Sequence, residues 1–123
     1  MPGGQARLMA LVEKNYTAEQ RQKLQQLPRQ EQLRINEGWD ALFEDIAKLG
    51  PNPDTRSGKA RELAKRAHAL LKDFSQGDAG ILKSAVAMNR DIAGDPDLAR
   101  LRGQEYWPFI DQVLTDLKLI DRA

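Results

Sequence analysis

Residues 60–81 read ARELAKRAHALLKDFSQGDAGI, and this stretch decides the fold. Its first part sets Ala60, Leu63, Ala64, Ala67, Leu70, Leu71 and Phe74 at i, i+3, i+4 and i+7 spacing, which is one face of a helix. Its last part supplies a stop and a new start. Gly77 suits a helix C-terminus, and Asp78 directly after it offers a carboxylate N-cap to the next helix. Three of the seven face residues are alanines. Small residues let a neighbouring helix come close, or leave a groove beside larger side chains.

Upstream, the pattern predicts a helix over about 29–49. Ile35, Trp39, Leu42, Phe43, Ile46 and Leu49 fall on one side at 100° per residue, and Gly50-Pro51-Asn52-Pro53 ends the run. A shorter helix over 17–27 opens on a capping box, with Thr17 as N-cap and Gln20 reaching back. Its apolar stripe is thin, only Leu24 and Leu27, so it depends on tertiary contacts. Pro28 breaks it. Residues 1–14 read as a flexible N-terminal segment, in which Leu8, Leu11 and Val12 make one uncapped amphipathic turn.

Downstream, a helix over 78–93 turns Ile81, Leu82, Ala85, Met88 and Ile92 inward and stops at Gly94. Asp95-Pro96 starts a short fifth helix that Gly103 ends. A last helix over 107–120 carries Phe109, Ile110, Val113, Leu114, Leu117 and Ile120 in a wide apolar arc, with Tyr106 and Trp107 at its entry. No segment alternates with period two, so the fold class is all-α: a compact single domain of five to six helices over 15–123.

The 123 residues are 41% hydrophobic and 30% charged, a globular composition with room for a core. No apolar run is long enough to cross a membrane. The N-terminus shows neither a signal core nor a cleavage site, so the expected location is the cytoplasm. There are no cysteines, which excludes disulfides, thiolate metal sites and covalent capture through sulfur. A net charge of +1, from 19 basic and 18 acidic residues, gives no electrostatic case for nucleic acid or an anionic membrane as partner.

The residues that carry chemistry elsewhere have bland explanations here. His68 is the only histidine, and no ligand cluster surrounds it, so no metal or cofactor is expected. The hydroxyls of Thr17, Thr55, Ser57, Ser75, Ser84 and Thr115 lack a nucleophile elbow or a nearby histidine base, and no phosphate-binding glycine loop exists. The expectation is a protein that is not an enzyme. The basic residues of the 55–74 helix split into two flanks, with Arg61, Lys65 and Lys72 on one and Lys59 and Arg66 on the other. They border a buried stripe rather than form one recognition face. Aromatic side chains are the remaining candidates. Core packing suffices for most, but space opposite Trp39 and Phe43 would make an apolar ligand groove.

The order of signals resembles a known family. Tyr16-Thr17-Ala18-Glu19-Gln20 opens a helix, Trp39 to Leu42 lies in the next, and Pro53-Asp54 follows as linker. Leu63-Ala64-Lys65-Arg66 then leads to Phe74-Ser75-Gln76-Gly77-Asp78, and Asp95-Pro96 and Arg102-Gly103 precede the final helix. This ordered set resembles the TipAS-type antibiotic-recognition domain found at the C-terminal end of certain MerR-family transcription regulators. The resemblance covers about residues 15–120. It implies a globin-like helical fold and a cleft for bulky, largely apolar natural products such as thiopeptide antibiotics, with a part in drug resistance. It also implies N-terminal helices that order over the ligand, a role that the thin stripe of residues 17–27 suits.

The founding member of that family captures its ligand through a cysteine, so binding here is expected to be non-covalent. The DNA-binding region and dimerising coiled coil of full regulators have no counterpart in this sequence. The expectation is either an excised effector-sensing domain, whose longer parent brings DNA contact and a dimer partner, or a free-standing form that sequesters ligand. The expected lining is Trp39, Phe43, Leu71, Phe74 and Tyr106, with residues 15–27 as cover. The rival expectation is a helical protein-interaction module, in which apolar surface under a loose first helix docks a partner helix.

Overall fold

The computed structural model describes residues 2–101 and 103–122, with side chains from residue 5 onward. Met1, Arg102 and Ala123, which fall in the N-terminal segment, the Arg-Gly step and the domain end of the sequence reading, lie outside the described residues. Six α-helices make a single domain: α1 (Pro2–Asn15), α2 (Ala18–Gln25), α3 (Arg29–Ala47), α4 (Gly58–Phe74), α5 (Ala79–Ala93) and α6 (Trp107–Asp116). Two 3₁₀ turns, Leu98–Arg100 and Gln104–Tyr106, link α5 to α6. No strand occurs among the described residues.

The face read from residues 60–74 is the centre of the molecule. Ala60, Leu63, Ala64 and Ala67 are all 0% exposed, and Leu71 is 2% exposed. Helices α3 and α6 pack on this face. Helix α3 comes close at Gly38, where a Cβ would lie 2.6 Å from Leu70 Cδ2. Leu42 and Ile46 of α3 and Ile110, Val113 and Leu114 of α6 complete the core from either side. Ion pairs staple the layers at their edges. Arg66 meets Asp45 at 2.6 Å and Arg34 meets Asp73 at 3.1 Å, both between α3 and α4. Arg90 of α5 grips both carboxylate oxygens of Asp111 on α6 at 2.9 Å.

Local chemistry sets most boundaries. The capping box of α2 is present in both directions: Thr17 Oγ1 accepts from Gln20 N–H, and Gln20 Oε1 accepts from Thr17 N–H, each at 3.1 Å. Asp78 Oδ1 accepts from Gly80 and Ile81 N–H at the start of α5, which with Lys23 holds its carboxyl below the usual carboxylate range. Helix α4 starts at Gly58 rather than near Thr55. Asp54 accepts from Arg56 N–H to close a turn, and Ser57 is the N-cap, accepting from Ala60 N–H at 3.0 Å. Both α4 and α6 end with a non-glycine residue in the left-handed region, Gln76 (φ 54°) and Lys118 (φ 60°). Around each, an N–H five residues on closes the last turn, Gly77 to Lys72 and Leu119 to Leu114. This ends α6 at Asp116, short of Ile120. The fifth helix reduces to a 3₁₀ turn, with Asp95 accepting from Asp97 and Leu98 N–H.

The N-terminal segment departs from the flexible stretch read from sequence. Residues Pro2–Asn15 form α1, laid on α5. Asp91 binds Lys14 and Asn15, both at 3.0 Å, and Arg7 pairs with Asp97 and Asp95. These partners lie far along the chain, so local periodicity does not register them. Val86 of α5 is also buried, beyond the inward set read from sequence.

Leu63→Ala is expected to lower the unfolding free energy by about 2–5 kcal/mol through an unfilled cavity at the centre of the core. Leu33→Ala, at a half-exposed site on α3, should stay within about 0.5 kcal/mol. Urea melts of the two variants check the assignment of the faces.

Candidate ligand-binding cleft

A cleft of about 460 Å³ lies between α3 and α5, beside the end of α4. That volume lies within the range of small-molecule sites, roughly 300–1,000 Å³. One wall is α3, presenting Ile35, Asn36, Trp39, Asp40 and Phe43 at helical spacing. The floor is Leu71 and Phe74 from the end of α4, Ala85 of α5 and Trp107 of α6. The far wall is Asn89 with Gly103 and Gln104, and Tyr16 stands at the α2 end.

The aromatic side chains form a ladder. Trp39 and Phe43 stack with ring centroids 5.7 Å apart and planes at 27°. Phe43 and Tyr106 stack at 5.5 Å and 20°. Each contact of this kind contributes about 0.5–1.5 kcal/mol beyond burial. Trp39, Phe43 and Tyr106 nonetheless remain only partly buried. Gly103 explains how closely the far wall approaches. It has φ 83°, and a Cβ there would fall 2.2 Å from Phe43 Cε2, so the backbone passes against the ring where only glycine fits.

Four of the sequence-read residues, Trp39, Phe43, Leu71 and Phe74, line this one cleft. Tyr106 does not. It stacks on Phe43, while Trp107, 4% exposed, takes the floor position. The left-handed turn at Gly103 feeds the 3₁₀ turn Gln104–Tyr106, and Trp107 after it is buried. The source of the space also differs. The alanines of α4 are consumed by helix packing and none lines the cleft; the small residues that do are Ala85 and Gly103.

The polar lining was missed from sequence because its residues sit beside apolar stripes, where solvated positions are ordinary. Asn89 Nδ2 donates to Ala85 C=O at 2.9 Å, and Gln104 Nε2 donates to Asn89 Oδ1 at 3.3 Å. Two buried atoms, Gln104 Oε1 and Trp107 Nε1, have no hydrogen-bond partner among the described residues. Each such group costs about 1–3 kcal/mol.

Helix α2 roofs the neighbouring space. No residue within it is buried, but Tyr16 before it and Leu27 after it are. Between these anchors it is held by polar contacts: Lys23 to Asp78 at 3.3 Å, Gln76 Nε2 to Lys23 C=O at 3.0 Å, and Ser84 Oγ to Gln20 Oε1 at 3.0 Å. Beneath it lie two more hollows, of about 360 Å³ toward α3 and about 740 Å³ toward α1 and α5. Phe74 lines both and the central cleft as well.

Elsewhere the structure offers less chemistry. Among the described residues no three His, Cys, Asp or Glu side chains gather as a metal site, and no helix is long and apolar enough to cross a membrane. His68 is half-buried on α4, with its pKa lowered by burial and by Lys72.

Gly103→Ala is expected to push Phe43 off Trp39 and Tyr106 and to cost about 1–3 kcal/mol for the left-handed backbone alone; a reduced near-ultraviolet circular dichroism band checks the loss of the ladder. Burial pushes the Tyr16 phenol up from 10.0 to about 12. The folded state therefore holds a proton that the unfolded state releases. The stability this represents is complete below about pH 10 and is lost as pH rises toward about 12. Chemical denaturation across that window should show a shallower fall for Tyr16→Phe than for the parent.

Comparison with protein-family models, curated proteins and solved structures gives no match for this chain.

Proposed function

We propose that this chain is a non-catalytic recognition domain that binds a bulky, largely apolar small molecule, non-covalently, in the cleft between α3 and α5. The observation that carries the reading is the partly buried ladder Trp39–Phe43–Tyr106 beside a cleft floored by Leu71, Phe74, Ala85 and Trp107. Stacked rings left partly open to water gain apolar burial when a flat or macrocyclic ligand covers them. The resemblance in the order of sequence signals narrows the class to thiopeptide-like antibiotics or related natural products. Such ligands are larger than the central cavity, and two further hollows under α2 share Phe74 with it. Helix α2, with buried anchors at both ends and only Leu24 packed on the core between them beside polar ties, suits a cover that adjusts to what lies beneath. In this reading the domain works in the cytoplasm. It is either the effector-sensing part of a MerR-family regulator, with DNA contact left to a longer parent, or a free-standing sequestering form.

Titration with a panel of thiopeptides, followed by tryptophan fluorescence, tests this. Saturable binding is expected. Trp39→Ala should weaken it at least tenfold, about 1.4 kcal/mol, while far-ultraviolet circular dichroism stays that of the parent. Unchanged affinity in a folded Trp39→Ala variant would place the ligand elsewhere. A chain that ignores the panel but gains mass with concentration would favour the protein-interaction reading instead.

A further inference from the structure

The hollow of about 740 Å³ between α1, α2 and α5 has no residue of α3 in its lining and a chemistry of its own. Its walls are apolar: Met9 and Val12 of α1, Leu24 of α2, Phe74 of α4 and Met88 of α5. Met9 is 56% exposed, the most exposed large apolar side chain among the described residues. On α1, Met9, Val12 and Tyr16 follow i, i+3 and i+7 spacing, so one stripe of that helix faces the hollow. On α2, at 100° per residue, Arg21 falls between Leu24 on one side and Gln25 and Ala18 on the other, and all four line the hollow. Arg21 therefore lies in the middle of the α2 face that borders this space. It is the one charged residue in the lining among the described residues. It is partly buried, yet its side chain has no ion pair or hydrogen bond among the described residues. The partly buried Arg66 and Arg90, by contrast, each close on a carboxylate, Asp45 and Asp111.

We infer that this hollow is a second ligand site, for an amphiphilic carboxylate such as a medium-chain fatty acid: the tail covers Met9, Val12, Leu24, Phe74 and Met88, and Arg21 holds the carboxylate. Covering these side chains removes apolar surface from water, the exposed Met9 above all. Methionine is unbranched and soft, so Met9 and Met88 adapt to a flexible chain rather than to one rigid outline. The guanidinium sets the head group. It is always charged, and its fork matches the two oxygens of a carboxylate. A neutral head group forgoes that charge-assisted contact. A cationic one meets like charge, with no acidic residue in the lining to offset it among the described residues. Gln22 and Gln25 line the hollow beside Arg21, and their amide N–H groups are further donors for an anion. The inference differs from the central-cleft reading in the class of ligand and does not depend on it.

Octanoate and 1-octanol share a tail and differ in head-group charge, so together they separate tail from head. Each is titrated into the full chain and followed by the ε-methyl resonances of Met9 and Met88, with the methyls of Leu71 and Ala85 as reporters on the central cleft. The expected result is saturable movement of the Met9 and Met88 methyls by both probes. Arg21→Gln should weaken octanoate roughly tenfold and leave octanol within about twofold, with the far-ultraviolet circular dichroism of the parent. Added salt should weaken octanoate on the parent chain and spare octanol. Equal losses for the two probes in Arg21→Gln, or none for octanoate, would overturn the assignment of the head group. Met9 and Met88 methyls that stay still up to the solubility of both probes would overturn the site. Movement confined to Leu71 and Ala85 would also overturn it, and would leave the central-cleft reading standing.

Discussion

The structure depends on the buried face of α4. Ala60, Leu63, Ala64 and Ala67 are wholly removed from solvent, and burial at roughly 25 cal/mol per Å² makes this the dominant stabilising contact. Its small residues let α3 and α6 close on it from two sides, with Gly38 admitting the Leu70 side chain. Once α3 and α6 are fixed in this way, the remaining helices have limited freedom. Helix α5 reaches α6 through the Arg90–Asp111 fork and α4 through Ile81 and Ala85, and α1 then docks on its outer side. The cleft opens where α4 reaches Leu71 and Phe74 and α3 has no equally close partner across from Trp39.

The cleft is built differently from the core beside it. The core closes with aliphatic side chains and alanines. The cleft holds partly buried rings in a ladder, a glycine passed against Phe43, and buried polar atoms without partners among the described residues. The unpartnered polar atoms sacrifice stability that a folded domain can seldom spare. Departures from consistent packing concentrate at functional sites, and here they concentrate in one place, around Phe43, Gln104 and Trp107. The roof follows the same division. Tyr16 and Leu27 belong to the buried set, whereas the helix between them buries no residue fully and is tied by the partly buried Leu24 and by polar contacts to the 76–84 segment.

Much of the fold was legible because the signals are local. The all-helical class, the inward faces of α3 and α4, the capping box at Thr17 and the carboxylate cap at Asp78 depend on residues within four positions of one another. The left-handed stops at Gln76 and Lys118 were hidden because neither is a glycine, and the capping role of Ser57 was masked by Asp54 three residues earlier. Helix α1 was illegible because its support comes from Asp91, Asp95 and Asp97. In the cleft, Trp39, Phe43, Leu71 and Phe74 could be found from periodicity, which says which way a side chain faces. The exchange of Tyr106 for Trp107 turns on one backbone dihedral at Gly103, and the roles of Asn36, Asp40, Asn89 and Gln104 turn on how α3 and α5 splay. Neither leaves a trace in spacing.

The account rests on the space above Leu71 and Ala85 being a place for a ligand rather than a flaw in packing. The most direct measurement is a search for nuclear Overhauser contacts between a bound thiopeptide and the protein methyl groups. The account predicts contacts to Leu71, Ala85 and Ile35 and to the rings of Trp39 and Phe74, with none to Leu63 or Val113 in the closed core. Contacts confined to the outer surface of α1 or α6, with the Leu71 and Ala85 methyls silent, would contradict it.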